Sequence, residues 1–307
     1  MIMFIIRRLA VAIPTLLILC IVTFYLMHAA PGGPFNSERP LPASVMANIN
    51  AKYGLDQPLH TQLYTYLVGV VTEFDFGPSY KFKDRTVNDI IAQGFPVTLT
   101  YGFWSFIVAT VLGISLGVVA ALKHNSIIDY FAVGISIGAQ VLPNFVMAPL
   151  LVWLFTLTLG WLPGGGWNGG QFPYLVMPII ALSTSYMASI SRLMRSSMLE
   201  VLNSNFIRTA RAKGLPSRKI IFGHALKPAL LPVVSYLGPA FVGMITGSVV
   251  IDTFFSTGGI GQAFVNSAFS RDYAVMMGIT ILVGTLTITF NMIVDILYAW
   301  IDPKVRL

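Results

Sequence analysis

At 307 residues, 55% hydrophobic and only 10% charged, with a mean hydropathy of +0.76, the chain is too apolar for a water-soluble domain and is expected to span a membrane. Its single cysteine, Cys20, excludes an intrachain disulfide. The four histidines (His28, His60, His124, His224) show no metal-ligand spacing, so no metal site is expected.

Crossing the hydrocarbon takes about 20 mostly apolar residues. Charge-free intervals at 9–37, 90–122, 130–191, 228–251 and 273–294 supply that length, and the Gly- and Pro-rich "WLPGGGWNGGQFPY" (161–174) divides the third. The expected architecture is all-α, with six membrane helices at about 9–29, 97–122, 131–159, 175–194, 229–251 and 275–300. Arg7 and Arg8 precede the first span as they would a signal peptide. The apolar run after them outlasts the roughly 7–15 residues of an h-region, and His28 stands where a small residue would be cleaved, so the span is read as retained.

A segment of 31–95 separates the first two spans. "PASVMANINAKYG" predicts a short helix closed by Gly54, and "DQPLHTQLYTYLVGVV" a second, with Pro58 in its first turn and Leu59, Leu63, Leu67 and Val70 or Val71 on one stripe. This segment is a structural cap or a docking surface for an external partner. In the third span, Pro143 and Pro149 remove backbone donors and Asn144 adjoins the first break. Breaks at membrane depth are tolerated where protein or a water-filled cavity covers them; the stretch is a helix bordering a translocation path or an ordinary packed kink. In the last span Asp295 follows Asn291 by one helical turn and reads as an interfacial or paired structural acid.

With the N-terminus inside, 13 of the 19 Lys and Arg fall on the cytoplasmic side together with three acids, against six Lys and Arg and eight acids outside. Both termini are therefore expected in the cytoplasm. The net charge of +7 reflects this asymmetry, not nucleic-acid binding.

Several motifs imitate catalytic ones. Gly113-Ile-Ser115-Leu-Gly117 and Gly134-Ile-Ser136-Ile-Gly138 fit the hydrolase elbow, but each lies in an apolar helix without a His and acid beside it, and each also reads G-x-x-x-G, a helix-packing pattern. Gly164 to Gly169 matches a dinucleotide fingerprint, yet joins two spans and reads as a turn. No phosphate-binding G-x-x-x-x-G-K-[ST] occurs.

The most informative stretch is "NFIRTARAKGLPSRKIIFGHALKPALLP" (205–232), with six Lys or Arg and no acid. "NFIRTARAK" reads as a short helix, Gly214 as its C-cap, and Pro216 as the start of a second helix leading to Pro228 and Pro232. Attraction to anionic lipid explains the charge but not this punctuation. The stretch resembles the EAA loop of binding-protein-dependent ABC importers, in the form found in peptide permeases. "RRLAVAIPTLLIL", "FDFGPS" (74–79), "GFPVTLTYG" (94–102), "GGIGQAFVNSAFSRDYAV" (258–275) and "VDILYAWIDPKVR" (294–306) extend the resemblance over the whole chain. "LPGGGWNGG" and "NFIRTARAKGLP" are similar to the B-type permease subunit of oligopeptide importers in particular.

The resemblance implies a permease of the type I ABC importer fold in the bacterial inner membrane, not itself an enzyme. It also implies a second homologous permease, two ATPase subunits that carry ATP and Mg, and a periplasmic or lipoprotein peptide-binding protein. The loop 205–228, through Arg208, Thr209, Ala210, Arg211, Ala212, Lys213, Gly214 and Leu215, would couple the spans to an ATPase, while Pro143 and Asn144 remain candidates for the path. Two positions depart from the family: Arg208 stands where the general loop has Glu, and Gly258 stands in place of an expected proline, which is expected to loosen the turn before the last span. An ion-coupled secondary transporter is the alternative of another class, disfavoured by the lack of a visible inverted repeat and of paired intramembrane acids. A membrane-embedded enzyme rests only on the two elbow look-alikes.

Overall fold

The computed structural model describes residues 2–30, 33–35, 43–246 and 249–301, and only the backbone at 2–9, 43, 295 and 297–301. The regular elements described are all helical: α1 (Ile2–Ala29), α2 (Ala43–Tyr53), α3 (Leu59–Glu73), α4 (Val87–Leu122), α5 (Ile127–Val141), α6 (Asn144–Leu151), α7 (Phe172–Leu202), α8 (Asn205–Ala212), α9 (Ser217–Lys219), α10 (Leu226–Ala229), α11 (Leu231–Thr246), α12 (Val249–Phe255), α13 (Ile260–Ser270) and α14 (Tyr273–Ile301). Wider π-helical turns follow α6 at Val152–Thr158 and α9 at Ile220–Ala225.

Among the described residues, five stretches are long and apolar enough to cross a membrane: Ala10–Ala29, Val87–Leu122, Phe172–Leu202, Leu231–Phe255 and Tyr273–Val294. The third expected span differs in shape. α5 and the α6 arm, Asn144–Thr158, meet at 104°. The cause is local. A proline disfavours helical geometry in the residue before it, and Leu142 is extended (φ −80°, ψ 109°). Pro143 then restarts the helix as the cap of α6, with φ −63° and ψ 152°. The chain folds through a corner here, where the sequence suggested a kink.

The chain forms two compact units, Met1–Pro96 with Gly258–Thr289, and Val97–Thr257 with Phe290–Leu307. In the first, Cys20, Phe24 and Met27 of α1 pack with Leu63 of α3 and Tyr273, Met277 and Ile281 of α14. Leu67, Val70 and Tyr66 complete the inward stripe of α3, whereas Val71 is 74% exposed. A second cluster joins Val87 and Ile90 of α4 to Ala274, Val275 and Ile279 of α14.

The same unit contains a polar knot. Asp272, fully buried, accepts hydrogen bonds from the Ser79 hydroxyl and from the backbone N–H groups of Tyr80 (3.2 Å) and Lys81 (3.3 Å). It also caps α14 by accepting from Val275 N–H at 3.3 Å. The stretches 74–79 and 258–275, far apart in sequence, thus meet at one carboxylate. Gly258 also differs from expectation. Its φ of +78° is closed to proline, whose ring holds φ near −65°, and its N–H donates to Gln262 Oε1 at 2.8 Å. Glycine holds this turn in a way proline could not.

In the second unit α7 forms the axis of the core, with Met177, Leu182, Ile190, Met194 and Met198 each no more than 1% exposed. The first G-x-x-x-G is a packing seam. A side chain on Gly117 would begin 2.5 Å from Ser191 O, and one on Gly113 would begin 2.8 Å from Ile190. The second is different: beyond the adjoining backbone of its own helix, no atom lies within 4 Å of a Cβ built at Gly134 or Gly138. Close approach of helices at that pair is therefore not made within the described residues. Gly164 to Gly169 forms a turn, with Gly166 N–H donating to Phe255 O at 2.6 Å.

Candidate functional site

The basic segment emerges from the end of α7. Ser204 caps α8 and its hydroxyl donates to Val201 O at 2.6 Å. A helix of eight residues is marginal alone, and two side chains anchor it. Ile207 is fully buried and Ala210 is 8% exposed, in one apolar cluster with Met198, Ile220 and Ala225. The remaining face is outward: Phe206, Arg208, Thr209, Arg211, Ala212, Lys213 and Gly214 are exposed, and Leu215 is half-buried.

The helix ends in a Schellman motif. Gly214 N–H donates to Arg211 O at 2.9 Å and Leu215 N–H to Ala210 O at 3.3 Å, a pattern that needs a left-handed residue between them. Gly214 supplies it with φ +74°. Pro216 caps the short α9, a π-helical turn follows, and α10 leads to α11. Of the eight residues expected to meet an ATPase, Ala210 therefore faces its own core, and Arg208, Thr209, Arg211, Ala212, Lys213 and Gly214 face out.

An ion cluster that sequence reasoning missed fixes this end of the unit. Asp129, 1% exposed, accepts from Arg195 Nε at 2.6 Å and Nη2 at 2.7 Å, and from Asn125 N–H at 2.9 Å. His124 Nδ1 lies 3.2 Å from the same carboxylate. The forked guanidinium suits such two-oxygen contact, and it ties the start of α5 to α7, the helix that leads into α8. The signal available was weak: an acid in the first turn of α5 and an arginine 66 positions on.

Pro143 lies exposed at the 104° corner with Asn144 half-buried beside it. Asp252 is the residue directly after the fifth expected span, 229–251. It sits inside α12 and is fully buried, accepting from Thr257 Oγ1 at 2.6 Å and Thr98 Oγ1 at 3.2 Å. The expectation for Asp295 lies outside the described side chains. Among the described residues no cluster of His, Cys, Asp and Glu could hold a metal ion.

Residues 113–307 match the family of binding-protein-dependent transport system inner membrane components, and residues 1–102 its N-terminal membrane-component family. The chain belongs to the binding-protein-dependent transport system inner membrane components. Among relatives of this family, the oligopeptide transport system permease protein OppB of Salmonella typhimurium is 58% identical over 306 residues, covering 100% of both chains. The dipeptide transport system permease protein DppB of Bacillus subtilis is 41% identical, over 99% of this chain and 98% of its own. Among solved structures, an inward-facing MetNI methionine ABC transporter covers 70% of this chain and 97% of its own with a TM-score of 0.59 at 18% identity, a likeness of fold. As a member of this family with several apolar helices, the chain is a multi-pass inner-membrane protein.

Proposed function

We propose that this chain is the membrane-spanning permease subunit of an ATP-driven importer of oligopeptides, lining the peptide path together with a second, homologous permease. Full-length identity of 58% to an oligopeptide permease carries this reading. ATP and Mg would be held by two partner ATPase subunits, and peptide would be delivered by a separate binding protein.

The mechanism follows from α8. Ile207 and Ala210 root it in the core, so a push on its outer face is transmitted to α7 and α10 instead of being lost in a flexible loop. Arg208, Arg211 and Lys213 offer charge to the partner, and Ala212 offers a surface without bulk. Closure of the ATPases on ATP would move α8, and with it the helices it is packed on, so that the path opens to the loaded binding protein. Pro143 and Asn144, at the corner between α5 and α6, are proposed to border that path. The positive-inside asymmetry supports cytoplasmic placement of α8 and of both termini.

Co-reconstitution tests the reading. Hydrolysis should be absent with this chain alone. It should appear when ATPase subunits and the second permease are added, and should rise with loaded binding protein. Hydrolysis that is indifferent to the presence of this chain would reject the proposal.

A further inference from the structure

In the first unit a cavity of about 540 Å³ opens where α1 ends and α14 begins, roofed by α2, α3 and the loop 75–80. Two residues lining it each carry a buried polar atom without a partner among the described residues: His28 at Nε2 and Tyr66 at its hydroxyl. Buried polar groups are nearly always satisfied, so each points to something that fills the cavity. Their chemistry is defined. His28 Nδ1 lies 2.8 Å from Phe24 O, and a carbonyl only accepts, so Nδ1 carries a proton, and in that tautomer of the imidazole Nε2 offers a lone pair. Tyr66 offers a hydroxyl proton. Burial pushes the Tyr66 phenol well up and, with Asp272 nearby, Tyr80 to about 12, so both remain neutral donors.

The walls are aromatic. His28 stacks between Phe24 and Tyr273 at centroid distances of 4.2 and 5.0 Å, and Tyr53 meets Tyr80 at 5.1 Å. Such ring faces attract an ammonium group. At the mouth stand one cation and one anion, Lys52 and Asp75, both exposed. A smaller cavity of about 300 Å³ shares His28, Gln62 and Tyr273 and is lined beyond them by apolar Phe35, Met46, Leu55 and Leu59.

We propose that this cavity binds the phosphoethanolamine headgroup of a membrane lipid, a site independent of the peptide path. Three features favour this occupant over others. The cavity sits at the end of two apolar spans, Ala10–Ala29 and Tyr273–Val294, and the ends of crossing helices are where headgroups lie. Its paired charges fit a zwitterion. Its deep acceptor requires an N–H donor, which a primary ammonium has and a quaternary one lacks. His28 Nε2 and the rings take the ammonium, Tyr66 and Lys52 take the phosphate, and the smaller cavity takes the start of the acyl chains.

The test uses the assembled transporter in nanodiscs of equal phosphatidylethanolamine, phosphatidylcholine and phosphatidylglycerol, with retained lipid counted by native mass spectrometry. Wild type should retain phosphatidylethanolamine preferentially. Tyr66→Phe, which keeps the ring and removes one oxygen, should reduce retention about 3- to 10-fold, the effect of one hydrogen bond. His28→Phe should abolish the preference over phosphatidylcholine, and the exposed Lys52→Gln should weaken retention without affecting folding. Equal retention of all three lipids, retention of none, or displacement by a soluble dipeptide would overturn the proposal.

Discussion

Ala212, the last residue of α8, and Gly214, just past its end, are both exposed, and each is constrained differently. Gly214→Val places a β-branched residue at φ +74°, a conformation such residues rarely adopt, and should loosen the end of α8. Ala210→Trp and Ala212→Trp, two positions apart, should behave in opposite ways. Ala210 is 8% exposed in the core, so the bulky residue overpacks it at about 1–3 kcal/mol, read as a lower melting temperature of the purified chain. Ala212 is exposed, so its variant should keep the wild-type melting temperature. The ion cluster gives a second prediction. Arg195→Met strands Asp129 in a site where it is 1% exposed; loss of one partner of a buried pair costs about 3 kcal/mol or more. Asp129→Asn with Arg195→Met should recover most of that loss in the same thermal assay.

At the scale of elements, packing decides which glycines are replaceable. Gly117→Leu should separate α4 from α7, because a side chain would begin 2.5 Å from Ser191 O; cross-linking between cysteines placed on those two helices should fall. Gly138→Leu, with open space around it, should leave folding of the isolated chain unchanged. Sequence alone could not separate these two motifs, since both read G-x-x-x-G and only the partner helix distinguishes them. The helices themselves were legible, because charge-free runs and Gly or Pro boundaries are local. The corner at Pro143 was legible as a break, but its 104° angle depends on the extended Leu142 and on what packs around it. The burial of Asp252 was not legible for a related reason: its donors, Thr98 and Thr257, come from positions whose proximity only folding creates.

For the whole molecule, topology is the first matter to verify. Cysteines at Lys81 and Asn168, both exposed, in a Cys20→Ser background should react with an impermeant thiol reagent from outside, and one at Ser217 only after the membrane is opened. Ser79, although close to Lys81 in the same loop, is unsuitable because it is 4% exposed and bonded to Asp272.

Coupling through α8 is the central claim, and stimulated hydrolysis in the reconstituted complex tests it most directly. Ala212→Trp and Gly214→Val complexes should assemble and dock loaded binding protein, yet neither transport peptide nor raise ATP hydrolysis in response. Wild-type stimulation and transport by both variants would contradict it, leaving the basic segment as a membrane-surface loop.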